Sequence, residues 1–213
     1  MAFKGKPNPN AMYLAIAGNI GSGKSTLTAL LAEAFGLKPV YEAVSENPYL
    51  EDFYRDMQGY AFHSQIFFLS RRVRQHLLEI NGAKAVVQDR TVYEDALVFA
   101  KNLYREGYLQ ERDWRTYMDL FQSVAPALRT PDLLIYLRAN LPTLRRRIRK
   151  RGRPFEQGLP EGYLLRLNEL YEELIASWDL SPVYVVEADR IDFVEKEEDR
   201  AALLAALRPR IQP

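Results

Sequence analysis

The chain has 213 residues, 47% of them hydrophobic, with a formal net charge of +1 and no cysteine. That length suits one domain, 1–213, with a substantial core. The near-zero charge leaves no bulk field to draw the chain to nucleic acid or an anionic membrane, no run approaches the ~18 apolar residues of a membrane span, and the absence of cysteine excludes disulfides and thiolate chemistry.

Met1 to Asn10, rich in Lys, Pro and Asn, reads as a flexible leader. The apolar run Met12–Ala17 reads as a buried strand. Its Ala15-Ile16-Ala17 resembles a signal-cleavage site, but the run is short and cleavage would remove the strand itself, so a cytoplasmic protein is expected. Gly18-Asn19-Ile20-Gly21-Ser22-Gly23-Lys24-Ser25-Thr26 follows and fits G-x-x-x-x-G-K-[ST], the phosphate-binding loop. Leu27, Leu30, Leu31 and Ala34 then mark one face of a helix that Gly36 stops. Strand, loop and helix are the setting this motif requires. Its glycines turn backbone N–H groups toward a polyphosphate, and the helix N-terminus adds partial positive charge. Lys24 can reach the β- and γ-phosphates, and the Ser25 hydroxyl can ligate Mg²⁺. The chain therefore binds a nucleoside triphosphate.

Further short apolar runs at Val40–Tyr41, Ala85–Gln88, Leu133–Leu137 and Val183–Val186 alternate with helical periodicity. Buried strands alternating with helices imply an α/β fold, a doubly wound parallel sheet of about five strands. Phe62, Ile66, Leu69, Val73, Leu77 and Ile80 predict a helix from about Tyr60 to Ile80, which also holds both histidines, His63 and His76, as packing or surface residues. Thr91-Val92-Tyr93-Glu94 is a capping box opening the next helix. Ser181-Pro182 is expected to end a long helix carrying Leu164, Leu167, Leu170 and Leu174.

In such sheets ligands sit at the carboxyl ends of the strands. Glu42 follows the second strand, where a carboxylate can take the proton from an attacking hydroxyl; a surface or capping Glu is the alternative. Asp89-Arg90 follows the third. There the acid suits Mg²⁺ and the guanidinium an acceptor oxygen or phosphate, against a simple strand-end ion pair. Arg145 to Arg153 holds seven basic residues in nine. Guanidinium groups in a mobile lid, about 147–158, can close over a transferring phosphoryl group; a nucleic-acid patch or a solvated face is the alternative. Gln65 and Arg72 share one helix face and Asp95 and Phe99 another, as base-edge readers and a stacking ring or as ordinary core and ion-pair residues.

Together, Gly18–Thr26, Tyr41-Glu42-Ala43-Val44, Asn47–Tyr54, Gln88–Asp95 and Arg147–Pro160 make the chain resemble the deoxynucleoside kinase family from about Met12 to Phe193, most of all its bacterial deoxyadenosine/deoxyguanosine kinase branch. The resemblance implies ATP- and Mg²⁺-dependent phosphorylation of a deoxynucleoside 5′-hydroxyl. It makes Glu42 the general base and Arg90 the holder of that oxygen, with Asp89, in place of a more usual Glu, near the metal. Tyr54 and Glu156 match the sugar 3′-hydroxyl readers. Gln65, Arg72 and Asp95 match the base-edge readers, and Phe99 the stacking ring. Arg147, Arg151 and Arg153 match the lid arginines. Glu187–Phe193, with Asp189, Ile191 and Phe193, matches the loop against the donor adenine. Ala43 departs from a common Pro, and Asn47 stands where some relatives have Trp. A homodimer through Val92–Tyr104 and the preceding long helix is also implied.

Two rival readings are a nucleoside monophosphate kinase and a regulatory or nucleic-acid-associated ATPase. The first needs more cationic groups beside the acceptor than the acidic Glu42 allows. The second needs a residue that positions a hydrolytic water. A deoxycytidine-preferring or broad-specificity deoxynucleoside kinase is the alternative within the family.

Overall fold

The computed structural model describes residues 12–41 and 46–211. The predicted leader, Met1 to Asn10, and Glu42 lie outside the described residues. Five strands, β1 (Met12–Gly18), β2 (Lys38–Val40), β3 (Ala85–Asp89), β4 (Leu133–Arg138) and β5 (Val183–Glu187), form one parallel sheet in the order β2-β3-β1-β4-β5. Four strands are the apolar runs expected, extended by one residue; β2 shares only Val40 with the expected Val40–Tyr41 and starts at the exposed Lys38. Alternation along β1 explains why helices must cover both faces. Tyr13, Ala15 and Ala17 enter one core, and Leu14 and Ile16 enter the other.

The helices are α1 (Lys24–Phe35), α2 (Leu50–Arg55), α3 (Met57–Gln75), α4, α5 (Glu111–Val124), α6 (Leu141–Arg151), α7 (Pro154–Gln157), α8 (Glu161–Ala176) and α9 (Glu197–Ile211). Here α4 denotes three consecutive stretches, Val92–Glu94, Asp95–Ala100 and Lys101–Arg105, the middle one π-helical. One core packs α4 and α8 against the sheet, and the other packs α1 and α9. A third apolar cluster joins α3, α4 and α5. Among the described residues, no helix is long and apolar enough to cross a membrane.

Three sequence expectations shift. Ala34 is exposed, and the buried face of α1 is Lys24, Leu27, Thr28 and Leu31. The stretch His76–Ile80 that continues α3 is π-helical, which puts an extra residue in the turn; His76 is buried there and the expected core residue Leu77 is 48% exposed. Finally, α8 ends at Ala176 rather than at Ser181-Pro182, because Ser177 and Trp178 already turn back onto the Glu173 and Ile175 carbonyls.

His76 packs edge-on against Tyr13, and its Nε2–H donates to the Arg129 carbonyl at 2.8 Å. Burial holds its pKa down to about 4, helped by the Arg72 and Arg129 charges and opposed by that hydrogen bond. Between pH 6.5 and about 4 the unfolded chain therefore binds a proton that the folded chain refuses. Stability falls as pH drops through that window, by about 3 kcal/mol in all. Urea unfolding of wild type and His76→Asn at pH 7 and pH 4.5 should show the variant losing less stability on acidification. Equal losses would move the effect to other groups.

Candidate active site

The motif loop crosses from the carboxyl end of β1 to α1, with β3 on one side and β4 on the other. Its glycines have steric causes. Gly18 has φ 152°, and a β-carbon there would lie 2.6 Å from Ser22 Oγ and 2.9 Å from the Leu137 carbonyl oxygen. A β-carbon on Gly21, at φ 82°, would meet Ile148 at 2.8 Å, so α6 rests directly on the loop. The Lys24 ammonium folds back across it, donating to the Gly18 and Asn19 carbonyls at 2.8 and 3.0 Å. Asn19 anchors the loop to α8 through Nδ2, which donates to the Leu164 carbonyl (2.9 Å) and to Asn168 Oδ1 (2.7 Å). Ser25 Oγ donates to Asp89 Oδ2 at 2.5 Å.

A cavity of about 290 Å³ opens beside this loop. Ile20, Lys24, Ser25, Asp89 and Arg90 line it, as do Tyr54, Gln65, Asp95, Phe99, Arg151, Arg153 and Glu156. Most of the polar residues singled out from sequence are thus brought to one space. Asp89 Oδ1 and Gln65 Oε1 are buried and accept no hydrogen bond among the described residues. The first sits beside Ser25, and the pair fits a Mg²⁺ ion that keeps waters and phosphate oxygens as its other ligands. Among the described residues, no group of three or more His, Asp or Glu is placed to hold a metal ion.

Arg72 and Asp95 form a nearly enclosed pair, with side chains 3% and 4% exposed. Arg72 Nε donates to Asp95 Oδ2 at 2.9 Å and Nη2 to Oδ1 at 3.4 Å. Arg72 stands behind Asp95, which faces the cavity, and its Nη1 lies 3.4 Å from the Asp89 carbonyl. Arg90 has φ 68°, a backbone strained for a residue with a side chain, and its guanidinium lies 4.0 Å from the Phe99 ring centroid. Phe99 therefore lines the cavity with a cation already over its ring.

The arginines expected as a lid divide into two groups. Arg147 lies within α6, where it donates to the Ser22 carbonyl (2.7 Å) and the Ala188 carbonyl (2.9 Å), and burial lowers its pKa. Residues 147–151 are thus helix, and the segment between α6 and α8 begins at Gly152. Arg151 and Arg153 reach the cavity and pair with the buried Glu156, Arg153 at 3.3 Å. Tyr54 stacks on Phe155, with ring centroids 5.8 Å apart.

On the outer side of the loop, a β-carbon at Gly23 would lie 3.4 Å from Phe193. Ile191 packs in the same core as Phe193, while Asp189 accepts from the Asn140 N–H that opens α6.

Sequence reasoning missed Tyr163 and Phe155 in the lining and treated Glu94 only as a cap. Tyr163 lies on the buried apolar stripe of α8, and burial raises its hydroxyl to about 12.

A parallel sheet with a phosphate-binding loop at its switch point, beside a cavity with a polar far wall, defines a P-loop phosphotransferase that acts on a small acceptor. Residues 14–212 match the family model described as "Deoxynucleoside kinase". The chain is 36% identical over 191 residues to the deoxyadenosine/deoxycytidine kinase of Bacillus subtilis (strain 168), covering 89% of this chain and 88% of that one. It is 37% identical over 203 residues to a deoxyguanosine kinase of Lactobacillus acidophilus, covering 90% and 87%. The solved structure of deoxyadenosine kinase from M. mycoides with bound dATP superposes with a TM-score of 0.80 at 33% identity, covering 92% of this chain and 99% of that one. The chain belongs to the deoxynucleoside kinase family.

Proposed function

We propose that the chain transfers the γ-phosphoryl group of ATP to the 5′-hydroxyl of a purine deoxynucleoside, with Mg²⁺ bound at Ser25 and Asp89. The observation that carries this reading is one cavity lined both by Lys24, Ser25 and Asp89 of the phosphate side and by Asp95, which Arg72 holds from behind.

In the proposed step the 5′-oxygen forms a bond to the γ-phosphorus as its proton passes to Glu42. The bond from that phosphorus to the β–γ bridging oxygen breaks, and ADP leaves with the electron pair. Arg90 holds the 5′-oxygen. The backbone of Gly18 to Thr26 cradles the phosphates. Lys24 and the lid arginines Arg151 and Arg153 oppose the charge that spreads over the moving group. Bound Mg²⁺ would supply charge neutralisation on the phosphate oxygens. Arg147, together with Asp189, Ile191 and Phe193, shapes the donor-base side of the loop, and Tyr54 and Glu156 read the sugar. The proposal extends to one catalytic domain acting in the cytoplasm, with no nucleic-acid partner given its net charge of +1, and to a homodimer through α3 and α4, as the family resemblance implies.

Base choice follows from Asp95. With Arg72 engaging both of its oxygens from behind, the carboxylate faces the cavity as an acceptor suited to an exocyclic amine. Thymine offers a carbonyl and a ring N–H at the matching edge. A mismatched buried hydrogen bond costs several kcal/mol, so discrimination should be on the order of 10² or more. Values of kcat/KM for the four deoxynucleosides with ATP should rank deoxyadenosine or deoxyguanosine high and thymidine low, and Asp95→Ala should narrow that spread while lowering activity. Thymidine as the preferred substrate would refute the assignment. Cytosine carries the same kind of amine. A relative named for deoxyadenosine and deoxycytidine, and a solved M. mycoides structure described with products dCMP and dCDP, favour deoxycytidine as a second substrate.

A further inference from the structure

Glu94 is fully buried and lies outside the lining of the cavity, yet its carboxylate joins both arms of the site. Oε2 accepts from the Thr91 N–H at 2.8 Å and from Thr91 Oγ1 at 3.2 Å, which fixes the chain immediately after the strained Arg90. Oε1 accepts from the Gly18 N–H at 3.2 Å, where β1 enters the phosphate loop, and from the Tyr171 hydroxyl of α8 at 2.9 Å. A capping box needs only the first oxygen. The second reaches 76 residues back along the chain. Burial pushes this carboxyl's pKa up, while the Arg90 and Lys24 charges and the Thr91 and Tyr171 hydrogen bonds pull it down.

We propose that Glu94 is a positioning residue that sets the spacing between the phosphate loop and Arg90, and so between phosphoryl donor and acceptor oxygen. The inference rests on the transfer reaction proposed above. Phosphoryl transfer depends on placement and electrostatics more than on covalent chemistry, so a small error in that spacing lowers the rate without removing either binding site.

Two variants separate position from charge. Glu94→Gln keeps the length, but its NH₂ must face one of the two donor pairs and so releases either Gly18 or Thr91. Glu94→Asp keeps the charge and is one methylene too short to hold both. The measurement is kcat per folded molecule, with KM for ATP and for deoxyadenosine, at a temperature well below each Tm. Both variants are expected to lose at least about tenfold in kcat with both KM values within about threefold of wild type. Should one variant not fold, the other carries the test. A kcat within twofold of wild type in a folded variant overturns the proposal, even if its Tm has dropped, because that is the signature of a purely structural carboxylate. So does near-wild-type kcat in Glu94→Asp alone, which would leave charge as the whole effect. A wild-type chain inactive on every deoxynucleoside would instead remove the transfer reading, and this inference with it.

Discussion

Replacing Lys24 with alanine should reduce turnover by about 10³-fold or more while leaving the fold intact. The ammonium sits where the loop backbone converges, held by the Gly18 and Asn19 carbonyls. Those two contacts hold it ready to exchange carbonyl oxygens for phosphate oxygens with little movement. Among the described residues no other lysine lines the cavity, and the lining Arg151 and Arg153 are engaged with Glu156. Arg147 touches the loop but donates to the Ser22 and Ala188 carbonyls, so it does not stand in for the lost charge as the γ-phosphoryl group moves. The side chain lines the cavity, so circular dichroism and Tm should change little. Substantial turnover by a folded Lys24→Ala enzyme would rule out this role.

Glu42→Gln should lower kcat by roughly 10²- to 10⁴-fold at saturating deoxynucleoside, the range typical of losing a general base, while ATP still binds. The supporting geometry comes from its neighbours. Val40 pairs with Gln88, so β2 ends beside the turn that carries Asp89 and Arg90, and Tyr41 lines the cavity. Amide and carboxylate have nearly the same shape, so the loss should appear in kcat more than in KM. Near-normal kcat would remove Glu42 from proton transfer, and ATP affinity measured by calorimetry would show whether the donor site had survived.

Three of the strands, β1, β3 and β4, were legible because each is a short, buried apolar run closed by turn residues, whereas β2 is an exposed Lys38-Pro39 ending in one buried Val40. The phosphate loop was legible because its motif glycines, Gly18 and Gly23, sit at φ 152° and 106°, where residues with side chains are rarely found. Helix faces alone left Arg72 and Asp95 open to ordinary ion-pair roles; it was the family resemblance that singled them out as base-edge readers, and a buried charge needs a partner. Other features depend on contacts far apart in sequence. Glu94 satisfies the local capping pattern completely, and nothing nearby announces its bond to Gly18. Arg147 carries the same spacing signal as Arg151, yet the packing of α6 on Gly21 turns it toward the loop and Ala188. The exposure of Leu77 was hidden too, because apolar spacing records side chains and not the hydrogen-bond register of the backbone beneath them.

That register also matters at the cavity. Asp95 and Phe99 both fall in the π-helical stretch of α4, where one more residue occupies the turn than an α-helix would hold. The loose turn acts as a vernier between two rigid rods. Removing a single residue between Asp95 and Ala100 would restore ordinary helix and rotate whatever follows by about 100°. The helix would gain regularity, while the residues beyond the deletion would be turned out of register with α3 and α8, which pack against this stretch. A chain that drifts through small insertions and deletions can shorten its surface loops freely, but at this turn the count of residues is itself part of the active site.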